Sequence, residues 1–201
     1  NQFVLIYNDT TCFSVIVTSG FTKYAFVERL QLKWHLIFGE LEALLYREKV
    51  AKANYFNLWH EREIYKGRWK VFGLYSFGEK LSDNCELCPH TTELVESIPG
   101  MRTAGFSAMS PSTHILPHRG YTSDVLRCHL GLIVPEISQI FSQSTDTKLS
   151  RIPCGLKVGS TIFQWEQGKA FIFDDTELHE AWNISNQTRY ILLIDFQKQL
   201  V

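Results

Sequence analysis

The apolar positions of this chain change period part-way along it. Val27, Leu30, Trp34, Ile37, Leu41 and Leu44 recur at steps of three and four, the spacing that lines one face of an α-helix. Charges such as Glu28, Lys33, Glu40 and Glu48 fall mostly elsewhere. The pattern predicts one long helix over about residues 23–49, with Thr22 able to cap it. Phe26, Leu32 and Phe38 widen the apolar stripe, so more than one side is expected to be covered. Upstream, residues 3–17 alternate loosely and are rich in β-branched and aromatic side chains, which predicts one or two strands about an Asn8-Asp9 turn. Trp69 to Phe77 reads as a strand, with its aromatics in a core. Thr91 to Ser97 predicts a short helix stopped by Pro99-Gly100.

From Ala104 onward, short strand-like runs are broken by Gly, Pro, Ser and Asp. Strands are predicted at 104–109, 113–118, 124–134, 154–158, 161–165, 169–174 and 189–196, with 135–153 as a polar surface loop. No alternation of strands with helices points to a parallel sheet. Many short strands with frequent turns favour an antiparallel sandwich or barrel. The expected fold class is therefore mainly β with N-terminal helices. One domain is expected over 1–201, with residues 1–60 as a strand and helix layer and 61–201 as the β core.

Composition narrows the function classes only modestly. Apolar residues are 45% and charged residues 20% of the chain, ordinary for a globular protein. A net charge of -1 gives no reason to expect nucleic acid or an anionic membrane as partner. No apolar run is long enough to predict an integral membrane segment, and Asn1 to Val17 does not read as a signal peptide. Five cysteines, Cys12, Cys85, Cys88, Cys128 and Cys154, do not form a disulfide framework, and the expected compartment is a reducing, cytoplasmic one. Cys85-Glu86-Leu87-Cys88 is a lone C-x-x-C without the second pair a zinc site wants, and reads as a structural loop with two thiols, bridged or not.

Candidate chemistry gathers between Ser107 and Arg189. On the strand around 124–134, Leu126, Cys128, Leu130 and Leu132 share one face, while Val125, Arg127, His129 and Ile133 share the other. An arginine and a histidine among aliphatics are costly to bury without partners. No carboxylate nearby in sequence is an obvious partner, which makes a bound ligand a fair candidate. Arg189, Ile191, Leu193 and Asp195 share a face of the last strand. A guanidinium at the edge of that apolar run is suited to grip a carboxylate through two parallel hydrogen bonds. His118 and His179, 61 positions apart, each stand at the edge of a strand-like segment. Non-haem iron oxygenases use two histidines and one carboxylate, usually placed two residues after the first histidine. Here that position is Gly120, which has no ligand atom.

Ser107-Ala108-Met109, Pro117-His118-Arg119-Gly120, Arg127-Cys128-His129-Leu130-Gly131-Leu132, the Trp-x-x-Gly-Lys of Trp165 to Lys169, Phe173-Asp174-Asp175 with His179-Glu180, and Arg189 together resemble the aspartyl/asparaginyl β-hydroxylase family. The resemblance covers roughly residues 68 to 196 and, more loosely, the helix containing Trp34. It implies a double-stranded β-helix, a jelly-roll or cupin-like barrel, acting as a dioxygenase with Fe(II), 2-oxoglutarate and O2. The family itself has glycine in place of the metal carboxylate, as at Gly120. Carried over position by position, the resemblance makes His118 and His179 the metal ligands. It makes Arg189 and Ser107 the holders of the distal carboxylate of 2-oxoglutarate. His129 would also contact the co-substrate, Arg127 would bind the co-substrate or an acidic substrate group, and Met109 would line the pocket.

The implied reaction is hydroxylation of an unactivated carbon, first of all the β-carbon of an Asp or Asn residue or of a tethered or free amino acid. The expected partner is accordingly a peptide, protein or small amino-acid substrate. The family's acyl-chain hydroxylases, a halogenase and a non-catalytic binding module on the same fold are the alternatives. The animal enzymes carry a lysine two residues before the serine, where this chain has Gly105, and they carry large additional regions.

Overall fold

The computed structural model describes residues 24–135 and 152–198. The strands expected within 3–17, the Thr22 cap and most of the 135–153 loop lie outside them. The long helix is two: α1 (Phe26–Leu32) and α2 (Trp34–Ala51), separated at Lys33, whose φ of -101° and ψ of 13° leave the helical region. Trp34, the first residue after this break, packs against Gly168 so closely that a Cβ there would lie 2.9 Å from its Nε1. Val27, Leu30, Ile37, Leu41 and Leu44 are buried, the stripe that the three-and-four spacing marks out. No helix among the described residues is long and apolar enough to cross a membrane.

Two further helices follow a hairpin. Cys85 sits inside α3 (Ser82–Leu87) and Cys88 at its end, so the C-x-x-C is helical where a loop was expected, and both thiols are free and buried. Cys85 Sγ donates to the Leu74 carbonyl at 3.3 Å. Burial pushes the Cys88 thiol up to about 12, which makes it a core residue with no thiolate to offer. α4 (Pro89–Glu96) begins two residues before the expected Thr91, and Glu40 of α2 caps it. The Glu40 carboxylate accepts from the backbone N–H of His90 at 2.7 Å and of Thr91 at 2.8 Å, and from the Thr91 hydroxyl at 2.6 Å.

The strands are β1 (Asn57–Leu58), β2 (Tyr65–Lys66), β3 (Trp69–Ser76), β4 (Glu79–Lys80), β5 (Met101–Met109), β6 (Thr113–His118), β7 (Val125–Ile133), β8 (Cys154–Val158), β9 (Thr161–Phe163), β10 (Ala170–Phe173), β11 (His179–Asn183) and β12 (Arg189–Gln197). They form two antiparallel sheets. The larger runs β1-β3-β5-β12-β7-β10 with β4 on β3, and the smaller runs β2-β6-β11-β8-β9. This is the mainly antiparallel β architecture with N-terminal helices that the strand pattern predicts. β11 has no counterpart among the predicted strand ranges, although His179 is read as lying at a strand-like edge. Its sequence, His-Glu-Ala-Trp-Asn, is too polar to read as a strand, and it is ordered by pairing with β6 on one side and β8 on the other.

Side-chain alternation divides the larger sheet between two cores. Phe72, Leu74, Ala104, Phe106, Cys128, Leu130, Leu132, Leu192, Ile194 and Phe196 pack under the helices. Trp69, Met109, Phe171, Phe173 and Ile191 face the smaller sheet, against Ile115, Leu156, Val158 and Ala181. Because both faces of β12 are covered, its sequence is nearly continuously apolar. Its buried polar exceptions, Arg189 and Asp195, lie on the inter-sheet side, and there the chemistry is found.

Candidate functional site

His118 ends β6 and His179 opens β11, and the two are register partners across that antiparallel pair. Their ring centroids are 4.2 Å apart. Each Nδ1 lies 2.8 Å from the backbone carbonyl two residues earlier, that of Leu116 for His118 and of Glu177 for His179. A carbonyl oxygen can only accept, so Nδ1 carries the proton in both rings and each Nε2 keeps its lone pair. A hydrogen bond of this kind fixes the tautomer and ring angle of a metal-binding histidine. Burial pushes the His179 imidazole down to about 4, so protons do not compete for it at neutral pH. Among the described residues no group of three or more His, Cys, Asp or Glu gathers as a metal cluster.

These histidines open onto a small cavity of about 30 Å³ between the sheets, and Ser107, Met109, Arg127, His129 and Arg189 line it too. β5, β7 and β12 supply them from the facing wall. Arg189 starts β12, is 2% exposed and has no hydrogen-bond partner for Nε among the described residues. Burial lowers its guanidinium to about 10, still a full cation at neutral pH. Its plane lies over the Trp165 ring, 4.5 Å from the centroid. His129 is buried and held well below its ordinary pKa by burial and by the charges of Arg127 and Arg189, and its Nε2 likewise has no partner among the described residues. A buried cation and a buried ring nitrogen without protein partners are expensive unless something completes them. Both residues line one cavity, and a carboxylate is the group that would satisfy both.

Arg127 also lines the cavity but has protein partners: the acids it needs come from segments distant in sequence, where the sequence alone offered only a bound ligand. Its guanidinium is already engaged: Nε donates to Asp195 at 2.7 Å, Nη2 to the other Asp195 oxygen at 2.9 Å, and Nη2 lies 3.1 Å from Asp175. Although burial opposes the charge, Asp195 and then Asp175 hold the Arg127 pKa above its ordinary value. Burial raises the Asp175 carboxyl against the pull of Arg127, and Asp175 Oδ1 has no partner among the described residues. Asp195 pairs with Arg127 through the register of β12 on β7, 68 positions away in sequence. Its even spacing from Arg189 on one strand face was visible, but which strand lies beside β12 was not.

Two glycines record tight approaches at the site. A Cβ at Gly120 would overlap the Asp175 carboxylate, and the Gly120 N–H donates to the Asp175 carbonyl at 2.6 Å. A Cβ at Gly105 would lie 2.6 Å from the Phe72 carbonyl oxygen and 3.0 Å from Gly73 Cα. There is thus no room at 105 for a lysine while β3 keeps its place.

Comparison with known proteins gives these features a family. The Aspartyl/Asparaginyl beta-hydroxylase family matches residues 31–199. An ornithine lipid ester-linked acyl 2-hydroxylase of Rhizobium tropici is 44% identical over 133 residues, covering 66% of this chain and 43% of that protein. The human aspartyl/asparaginyl beta-hydroxylase is 31% identical over 182 residues, covering 88% of this chain and 21% of that protein. This chain thus spans less than half the length of either relative. In fold it is similar to a Pseudomonas putida prolyl-4-hydroxylase, with a TM-score of 0.51 at 15% identity over 87% of this chain and 98% of the other. With the match running from α1 to the end of β12, through both histidines and Arg189, the chain belongs to the aspartyl/asparaginyl beta-hydroxylase family.

Proposed function

We propose that this chain is a hydroxylase that uses Fe(II), 2-oxoglutarate and O2, with His118 and His179 as its two protein metal ligands. The observation that carries this reading is the pairing of two walls. One holds two imidazoles with their Nδ1 protons tied back, and the other, across the same cavity, holds donors of Arg189 and His129 that have no partner among the described residues. Iron with 2-oxoglutarate would supply the oxidising power, converting the keto acid to succinate and carbon dioxide as one oxygen atom enters a C–H bond. The chain's own residues do the rest. Arg189, with Ser107 beside it, grips the far carboxylate, His129 donates to the co-substrate, and Met109 and Ile191 exclude water around it.

The prime substrate is proposed to be uncharged at its reacting end, and an ester-linked acyl chain is the first candidate. Arg127 is matched by two aspartates, so its guanidinium has no free charge to offer a substrate carboxylate. Gly105 removes the lysine that the family's animal members carry, and its surroundings forbid one. The relative named for acyl 2-hydroxylation is also more similar in sequence than the human enzyme. The second reading, an aspartyl or asparaginyl residue, is favoured by the family match itself.

The test is a product screen by mass spectrometry over acyl lipids, peptides and amino acids, each with Fe(II) and 2-oxoglutarate. A gain of one oxygen in an acyl chain supports the first candidate, and a gain in an Asp-containing peptide selects the second. Retention of bound iron and normal turnover in both His118→Ala and His179→Ala would sink the two-histidine site.

A further inference from the structure

The cavity wall facing the histidines contains two residues of ambiguous polarity, His129 and Ser107. Either can donate or accept a hydrogen bond. An indole N–H can only donate, and one indole reaches each of them. Trp165 Nε1 lies 3.3 Å from His129 Nδ1. That ring nitrogen must therefore accept, which leaves the imidazole proton on Nε2, the atom without a partner among the described residues. Trp69 Nε1 donates to Ser107 Oγ at 2.9 Å, so the hydroxyl keeps its own proton to give. The same Trp165 ring lies beneath the Arg189 guanidinium. Trp69 is itself clamped, stacked on Trp59 with centroids 4.8 Å apart and edge-on to Tyr65 at 5.8 Å.

We propose that Trp165 and Trp69 are positioning residues that make His129 and Ser107 obligate donors toward the cavity. With the guanidinium, the wall then presents donors only. It suits a group that only accepts, a carboxylate, and penalises a neutral amide of the same shape, whose NH2 would face N–H and O–H groups. This inference rests on the 2-oxoglutarate reading above, and its test separates the two. Neither tryptophan reaches His118 or His179 through these bonds, so Trp165 acts through His129 and Trp69 through Ser107.

The direct readout is the nitrogen NMR spectrum of the His129 ring in the metal-free protein. The wild-type chain should show the Nε2–H tautomer, and an Nδ1–H signal there would overturn the proposal with no variant needed. Trp165→Phe keeps a ring beneath Arg189 but deletes the N–H, and should yield a tautomer mixture. Titration calorimetry with 2-oxoglutarate, with and without a divalent metal, should show affinity lowered about two- to tenfold in Trp165→Phe, the range of one ordinary hydrogen bond. In a His129→Ala background Trp165→Phe should have no further effect, because the indole acts through that ring. An equal loss in both backgrounds would make Trp165 a packing residue only. Trp69→Phe should weaken binding only while Ser107 is present, and an equal loss in Ser107→Ala would reduce Trp69 to packing. If Arg189→Ala also left 2-oxoglutarate affinity unchanged, the co-substrate reading itself would fail. If Arg189→Ala lost binding and both tryptophan variants kept it, only the present inference would fall.

Discussion

Arg189 is the residue whose surroundings make the sharpest demand. It is a buried cation over an indole, and no carboxylate of the described chain reaches it. If 2-oxoglutarate completes it, Arg189→Ala should raise the 2-oxoglutarate requirement by about 30-fold to several thousand-fold, the cost of about 2–5 kcal/mol for losing a buried charge-assisted pair. The requirement for the prime substrate should move far less. Arg189→Lys should recover only part, because an ammonium has no fork. Initial rates over a 2-oxoglutarate series check both. His129 makes a second demand, on pH. Burial first, then Arg127 and Arg189, hold its folded pKa well below the ordinary value of about 6.5. The unfolded chain therefore takes up a proton that the folded chain refuses, and stability falls as pH drops below that value. Denaturant melts at pH 7.5 and 5 should show this loss, and His129→Gln should reduce it, leaving the share that His179 contributes by the same burial.

At the scale of elements, side chains from one segment define the start or the shape of another. Glu40 caps α4 from α2, 51 positions away, with three hydrogen bonds. Glu40→Ala should destabilise the chain by about 1–2 kcal/mol, the usual range for a lost helix cap, without altering 2-oxoglutarate affinity. A thermal melt beside a binding titration would detect the opposite pattern. The turn after β6 is shaped by Asp175 in the same way. Gly120→Asp would drive a side chain into the Asp175 carboxylate and set two acids together where burial already raises one. It should lower stability and fail to improve coupled turnover. A rise in succinate-coupled product would show that the glycine is a lesion.

For the whole molecule, the site exists only when two sheets close on each other. The histidines belong to the smaller sheet, while Ser107, Arg127, His129 and Arg189 belong to the larger. A metal and a keto acid bound between them would favour the closed, folded state by mass action, by about 2.7 kcal/mol at a hundred times the dissociation constant. Fe(II) or a redox-inert divalent metal with 2-oxoglutarate should therefore raise Tm, and a chelator should reverse the gain. No shift in the wild-type chain, or an equal shift in a His118→Ala His179→Ala double variant, would separate the metal from this cavity.

Local pattern alone determined much of this protein. The three-and-four spacing placed Val27 to Leu44 on one buried face, because a helix of 3.6 residues per turn leaves no other arrangement. Alternation put Arg127 and His129 on the side of β7 opposite Cys128 and Leu130, because successive strand residues point to opposite faces. Ordered motifs named the family. Tertiary structure decided what depends on which strands become neighbours. It gave Arg127 its aspartates, set His118 opposite His179, ordered the polar strand β11, and brought Trp165 and Trp69 within reach of His129 and Ser107. Local pattern is silent on these because strand order and register join residues tens of positions apart, and the free energy that selects them comes from burying both faces of β12 at once.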